Sequence, residues 1–475
     1  MSYAVFCADI GTSSLKAAII SSTGDILCTD TENFNKKLGS NRWYTALAAS
    51  CNLMLNKLLL KTASEALSKK ADSDSTWAGV VPGSKSAQPI ITPMWEKDCI
   101  KDLFRPEIFT KLPVIKAISI SGNGPSLANS GGSFLWNEPF EPGEVAAELA
   151  SSPDQHSIYV PRLIHIKHRM PEMWDCGEKI FSVPEYTVFQ MTGTSLTMLP
   201  EERFQMAYWK QQDLLNFGLP EEKLPRLRIP GKSAGTLKKE LASDFGLSMN
   251  PLQTNMPEVF CGGPDFTIAL IGTGTISPGC VCDRAGTSEG INICTARPFS
   301  VKGIRTLPSP QTPYWNESVL LPDSGARFNT WKKLNLFDEL PDEECTEYIL
   351  KHPESDGYAL LLRIAAEVKN GYRFLYANAA KNGTKPATEV ASTGGQAKNR
   401  LWMQMKADVT GISFKVPECP DAELLGNACV ALAGIKEYSS IKYAASAIIK
   451  YRTFYRPDAE RNRKYMEFLS KARAL

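Results

Sequence analysis

The segment Asp9-Ile10-Gly11-Thr12-Ser13-Ser14-Leu15-Lys16 lies between two apolar runs, Tyr3 to Ala8 and Ala17 to Ile20. Apolar run, polar turn, apolar run predicts a strand–turn–strand unit, and the Ser21-Ser22-Thr23-Gly24 cluster predicts a second turn behind it. Residues 3–30 thus read as a β-meander. Its first hairpin crowds together a glycine, three hydroxyls, a carboxylate and an ammonium. Backbone amides and hydroxyls suit phosphate oxygens, Lys16 suits a terminal phosphate, and Asp9 suits a hydrated Mg²⁺. An ordinary surface hairpin is the plain alternative.

A length of 475 residues exceeds what one ordinary core organises and predicts two or three domains. The net charge of +2 offers no footprint for nucleic acid. The short basic patches Lys69-Lys70 and Arg461–Lys464 read as solvated helix faces. Twelve cysteines without framework spacing predict buried, reduced thiols and a cytoplasmic chain, not disulfides or zinc. His165 and His168 are spaced for one helix face, but no further ligands accompany them, so packing is the expectation. No charged-then-apolar leader opens the chain, and no apolar run reaches the ~18 residues of a membrane span. Export and membrane partners are therefore not expected.

Further along, residues 45–70 carry apolar residues at helical spacing and predict a long amphipathic helix. Residues 72–113 hold five prolines and read as an irregular insertion. Val114–Ser121 returns to strand and is broken by Gly122-Asn123-Gly124-Pro125. Residues 160–250 read mostly as helices, punctuated by Pro200, Pro220, Pro225 and Pro230. A change near 251–258 leads to a strand (Val259 to Cys261), a Gly262-Gly263-Pro264-Asp265 turn and a helix from Phe266. Strand, Gly286-Thr287-Ser288-Glu289-Gly290 and strand follow. Helices over 357–381, 399–410 and 421–433 flank a strand at 388–392 that ends in Gly394-Gly395.

Four of these pieces form an ordered set: DIGTSSLK at 9–16, GGPD at 262–265, AGTSEG at 285–290 and STGGQAKN at 392–399. In them the chain resembles the FGGY carbohydrate kinases, and most of all their xylulokinase-like members, within the actin-like ATPase superfamily. The likeness extends to VFQMTG (188–193), ADVTG (407–411) and YRPDAERNRKYMEFL (455–469). It implies an α/β fold of two actin-like ATPase (ribonuclease H-like) domains, 1–250 and 251–475, facing an interdomain cleft. It also implies ATP and Mg²⁺. Asp9 would hold the metal through water, and Gly11, Thr12, Ser13 and Lys16 would lie at the phosphates. Gly286 and Thr287 would form the second phosphate contact, and Gly394, Gly395, Gln396 and Asn399 the adenosine wall. Asp265 would act as general base, and its plain alternative is a helix N-cap. The substrate side would comprise Asn123, Gly124, Ser126, Asp265 and Phe266.

Departures from the family pattern gather on that substrate side. Ser121-Gly122-Asn123-Gly124-Pro125-Ser126 stands where a Gly-Gln-like pair is usual, and Phe266 where Asn or Gln is common. Leu199-Pro200-Glu201-Glu202-Arg203 replaces an Asp-x-x-x-Ala-type segment. Gly286-Thr287-Ser288-Glu289-Gly290 also matches a serine-hydrolase elbow, but that motif requires a helix after the turn. Neither a Walker loop nor a complete dinucleotide fingerprint occurs. The resulting expectation is ATP-dependent phosphorylation of a small sugar or polyol, foremost a ketose such as a pentulose. A non-catalytic nucleotide- or sugar-binding regulator with the same fold is the alternative. A homodimer is the assembly considered.

Overall fold

The computed structural model describes residues 3–34, 42–73, 106–140, 149 and 157–472. Of the expected 72–113 insertion, residues 74–105 lie outside the described residues.

Two sheets organise the chain. The first contains β1 (Tyr3–Ile10), β2 (Ser14–Ser21), β3 (Ile26–Asn33), β4 (Val114–Gly122) and β5 (Glu258–Pro264) in the order β5-β4-β1-β2-β3. The meander β1–β3 is antiparallel, while β4 runs parallel to both β1 and β5. Every residue of β1 from Ala4 to Ile10 is buried, because both faces of the sheet are covered. This explains why its sequence is an unbroken apolar run and not an alternating one. Phe6, Ala8 and Ile10 point into a core with Trp43, Leu47 and Met54 from helix α1 (Arg42–Ser73). Val5 and Cys7 face the opposite core, built with helices 422–434 and 441–448.

The second sheet comprises β6 (Val281–Ala285), β7 (Glu289–Thr295), β8 (Arg305–Pro308), β9 (Trp315–Leu321), β10 (Glu389–Thr393), β11 (Ser413–Pro417) and β12 (Tyr451–Tyr455). Their order is β8-β9-β7-β6-β10-β11-β12. Helices α3 (Asp356–Lys381) and α4 (Arg400–Thr410) pack against it through Leu362, Ala365, Tyr372, Trp402 and Met403.

The structure departs from one expectation here. Residues 160–250 are not mostly helical. Helices span Val160–Arg169 and Val183–Thr192, but from residue 193 onward short strands and 3-10 turns prevail around one short helix, Gln211–Asn216. Prolines at 200, 220, 225 and 230 interrupt each helical run by removing donors and clashing with the preceding turn. The segment is held instead by an aromatic cluster of Tyr159, Tyr208 and Trp209. Beyond residue 250, β5 completes the first sheet. Helix α2 (Asp265–Gly272) and helix α5 (Ala422–Gly434) join that sheet as well. These two helices touch backbone to backbone: a Cβ on Gly272 would stand 1.8 Å from the Ala422 carbonyl oxygen, and one on Gly426 would stand 2.1 Å from that of Ile268. That close approach is why the 421–433 stretch is built of small residues.

Candidate active site

Sheet order brings the ends of β1, β4 and β5 side by side, with Asp9 opposite Ser121 and Pro264 opposite Gly122. Ser121 Oγ donates to Asp9 Oδ1 at 2.7 Å, and Asn427 of α5 donates to Ser121 Oγ at 2.8 Å and to the Ala8 carbonyl at 3.0 Å. Buried polar groups here are thus paired, as they must be. The turn beyond Asp9 closes through Gly11 N–H to the Ser14 carbonyl at 2.9 Å.

Asp265 is the first residue of α2, with Pro264 in the capping position, so its side chain does not serve as the N-cap. The expected GGPD turn is in fact the end of β5, with Gly263 at φ +85° providing the bend. Asp265 Oδ1 accepts from the Phe266 amide at 2.6 Å, and Oδ2 accepts from Arg284 Nη2 at 2.7 Å. Asn123, with its amide oriented to satisfy both neighbours, donates to Asp265 Oδ2 at 3.1 Å and accepts from the Thr12 amide at 2.8 Å. Trp136 Nε1 donates to Thr12 Oγ1 at 2.9 Å. The first hairpin, the substrate-side loop and the expected base thereby form one connected set.

On the facing wall, the β6–β7 hairpin is strand–turn–strand, which excludes the hydrolase elbow. Gly286 packs so closely on Gly325 that a Cβ there would meet the Gly286 oxygen at 2.1 Å. Thr287 accepts from the Gly325 and Ala326 amides at 3.0 Å, while its residue stays exposed. Gly394, at φ +93°, leaves a Cβ only 2.5 Å from the Ala285 oxygen, so the 394–396 loop and the 285–288 hairpin are in direct contact. Gln396 spans the two, donating to Gly286 O at 2.9 Å and accepting from Trp402 Nε1 at 2.8 Å. Gln396 and Asn399 line a small cavity of about 30 Å³ with Phe328, Leu361, Ile364 and Trp402.

Several expected contacts are otherwise engaged. Ser126 is buried and its hydroxyl accepts from the Trp136 amide, so it supports the loop instead of facing a substrate. Asn399 caps α4 by accepting from Trp402 N–H, and its amide donates to Thr346 and Asp342. Lys16 pairs with Asp421 at 2.7 Å, and Lys398 pairs with the same carboxylate at 2.8 Å. Gly124 lies beside Pro264 and the Tyr159 hydroxyl, while Gly395 faces open space and Ser13 is exposed. His165 stacks on Phe134 at 4.9 Å, in line with a packing role. Among the described residues eleven cysteines are free thiols.

Sequence reasoning missed Arg284 and Glu423. Arg284, on the last turn of strand before Ala285-Gly286, bridges Asp265 and Glu423 Oε1, the latter at 3.3 Å. Burial opposes its charge, but Asp265 and Glu423 outweigh burial and hold the guanidinium above its ordinary pKa. Two adjacent charged residues, Asp283 and Arg284, in a short strand immediately before AGTSEG were the available signal.

The donor set fits Mg²⁺ in chemistry, being carboxylate oxygens. Burial first, then the charges of Glu423 and Asp265, push the Asp9 carboxyl up to about 8. A cation beside it would relieve that cost. Among the described residues no three carboxylate, thiolate or imidazole groups converge to cage a metal. Asp9 would therefore be an anchor for an ion carried mainly by nucleotide and water.

Comparison with known proteins follows the same lines. The model for the C-terminal domain of the FGGY family of carbohydrate kinases matches residues 351–435. An autoinducer-2 kinase of Yersinia enterocolitica is 22% identical over 366 residues, 64% of this chain and 66% of that protein. A xylulose kinase of Staphylococcus epidermidis is 22% identical over 417 residues, 75% of this chain and 81% of its own length. The ligand-bound xylulose kinase of Lactobacillus acidophilus superposes with a TM-score of 0.68 at 14% identity, covering 98% of this chain and 96% of that one. The expected actin-like, two-domain α/β fold is thus the observed one. Among the described residues no helix is long and apolar enough to cross a membrane.

Proposed function

We propose that this chain, which belongs to the FGGY family of carbohydrate kinases, transfers the γ-phosphoryl group of ATP to a hydroxyl of a small sugar or polyol, with Asp265 as general base. One observation carries the reading: Asp265 is joined through Asn123 to Thr12 of the first hairpin, while Arg284 ties it to the strand that enters the second. Phosphoryl transfer asks for such positioning more than for covalent chemistry. The acceptor oxygen would attack the γ-phosphorus as its proton passes to Asp265, and the bond to the β,γ-bridging oxygen would break, releasing ADP. A carboxylate offers about four acceptor positions. Arg284, Asn123 and Phe266 occupy three, leaving one for the substrate hydroxyl. Mg²⁺, when bound, would neutralise charge on the β- and γ-phosphates, with Asp9 as its anchor. Gln396, with Gly394 and Gly395, would border the nucleotide base. A ketose such as a pentulose leads among acceptors.

The test is an ATP-coupled screen over pentuloses, hexuloses, heptuloses and polyols, run beside direct measurement of ATP binding. ADP formed only when an acceptor is present supports the reading. ATP binding with no transfer to any acceptor would favour the non-catalytic alternative, for which Phe266 in the sugar wall is the supporting feature.

The raised Asp9 carboxyl adds a second expectation. Burial and the charges of Glu423 and Asp265 favour its protonated form at neutral pH. A cation favours the charged form, so Mg²⁺–nucleotide binding at neutral pH should release protons. Calorimetry in two buffers of different ionisation enthalpy reads this directly. Asp9→Asn should abolish most of the release, and an unchanged proton count would remove Asp9 from the site.

A further inference from the structure

Arg284 has chemistry left over after its two ion pairs. Its Nη2 serves Asp265 and its Nε serves Glu423, while among the described residues Nη1 has no partner. The side chain is 32% exposed, against 18% for Asp265 and 8% for Glu423, so it is the most exposed member of the trio. Its main chain lies one residue before Ala285 and two before Gly286, the hairpin that meets phosphate in the reading above. Arg284 thus joins the two: its main chain leads into that turn and its side chain reaches the base. Guanidinium is planar, so fixing two of its three nitrogens fixes the direction of the third. The two carboxylates come from different helices, α2 and α5, which are themselves locked backbone to backbone. A charge held this rigidly undergoes little reorganisation during reaction, which is what makes electrostatic stabilisation effective.

We infer that Arg284 is a catalytic residue: Nη1 donates to a non-bridging oxygen of the phosphoryl group in flight while Nη2 keeps Asp265 oriented for the acceptor hydroxyl. This rests on the kinase reading and assigns the transition-state cation within it. The proton still goes to Asp265 and the electron pair of the broken P–O bond to ADP, and Arg284 remains charged throughout. Glu423 is a positioning residue, acting through the guanidinium.

The experiment compares MgADP binding with and without fluoroaluminate, a mimic of the transferring phosphoryl, in the presence of the acceptor the screen yields. For the unaltered chain, fluoroaluminate should tighten MgADP binding by ~10²-fold or more, as expected of a transition-state analogue. Arg284→Gln should lose that tightening while MgADP alone stays within about twofold, and kcat should fall ~10³-fold, as for an arginine supplied in cis or trans to other phosphoryl-transfer sites. Arg284→Lys keeps the charge without the fork and should recover part of both. If the Gln variant fails to fold, the Lys variant carries the comparison, with partial loss of tightening expected. Retained tightening, or equal weakening of MgADP with and without the mimic, would overturn the role of Arg284 and leave the kinase reading standing. If no acceptor supports transfer by the unaltered chain, the kinase reading falls and this assignment falls with it.

Discussion

Asp265→Asn should lower kcat by ~10²–10⁴-fold, the range for loss of a positioned general base. ATP affinity should change little, because the adenosine contacts proposed at Gly394–Gln396 follow a strand of the other sheet. The substitution removes more than a basic oxygen. Both Asp265 oxygens face donors, Phe266 N–H on one side and Arg284 with Asn123 on the other. An asparagine must therefore turn its NH₂ against one of them. Asp265→Ala avoids that conflict and separates lost basicity from introduced repulsion: the two variants should be similarly inactive if proton acceptance dominates. Near-normal kcat in Asp265→Asn would refute the assignment. Retained activity in Asp265→Ala alone would show that the asparagine acts by displacing Arg284.

Lys406→Met should cost about 3–5 kcal/mol of stability, the usual penalty for leaving buried charges without their partner. Lys406 of α4 is fully buried and pairs with Asp283 of β6 at 2.9 Å and Glu289 of β7 at 2.8 Å, both equally buried. The trio anchors the base of the 285–288 hairpin to the helix that follows the adenosine-side loop. Denaturant midpoints measure the loss. Replacing the carboxylates as well (Asp283→Leu and Glu289→Leu with Lys406→Met) should restore most of it, since apolar replacement of a whole buried ion cluster is often neutral. Failure of the triple variant to recover would mean that the hairpin needs the charges themselves. Burial, then the charge of Glu289, pushes the Asp283 carboxyl up to about 7 from an ordinary 3.8. The folded state therefore keeps this proton where the unfolded chain has lost it. Between those pH values Asp283 makes stability fall as pH rises. Thermal scans across that window should show the slope flattening in Asp283→Asn.

The local geometry of both glycine-rich hairpins was legible in the sequence. Asp9–Lys16 and Ala285–Gly290 are hairpins whose turns follow from local composition, and both form where expected. The long helix, the strand at Val114 and the small-residue helix at 422–434 also announced themselves by period or residue size. Legibility failed where side chains act at a distance. Ser126 and Asn399 carry the right polar groups, yet the Trp136 amide takes one and helix α4 the other. Lys16 belongs to the phosphate hairpin in sequence, but in space it answers Asp421, 405 residues away.

The linear order of residues determined by itself that two glycine- and hydroxyl-rich hairpins and a strand–carboxylate–helix junction would exist, because turn and strand geometry depend on near neighbours. Only the tertiary structure decided what Asp265 would have beside it. Arg284 lies 19 residues away and Glu423 another 139 beyond it. Sheet order and the contact of α2 with α5 put them within hydrogen-bonding distance, and no local rule pairs residues so far apart. Long-range proximity is set by which strand neighbours which and by how closely backbones approach, here through Gly272 and Gly426, and those are properties of the packed chain.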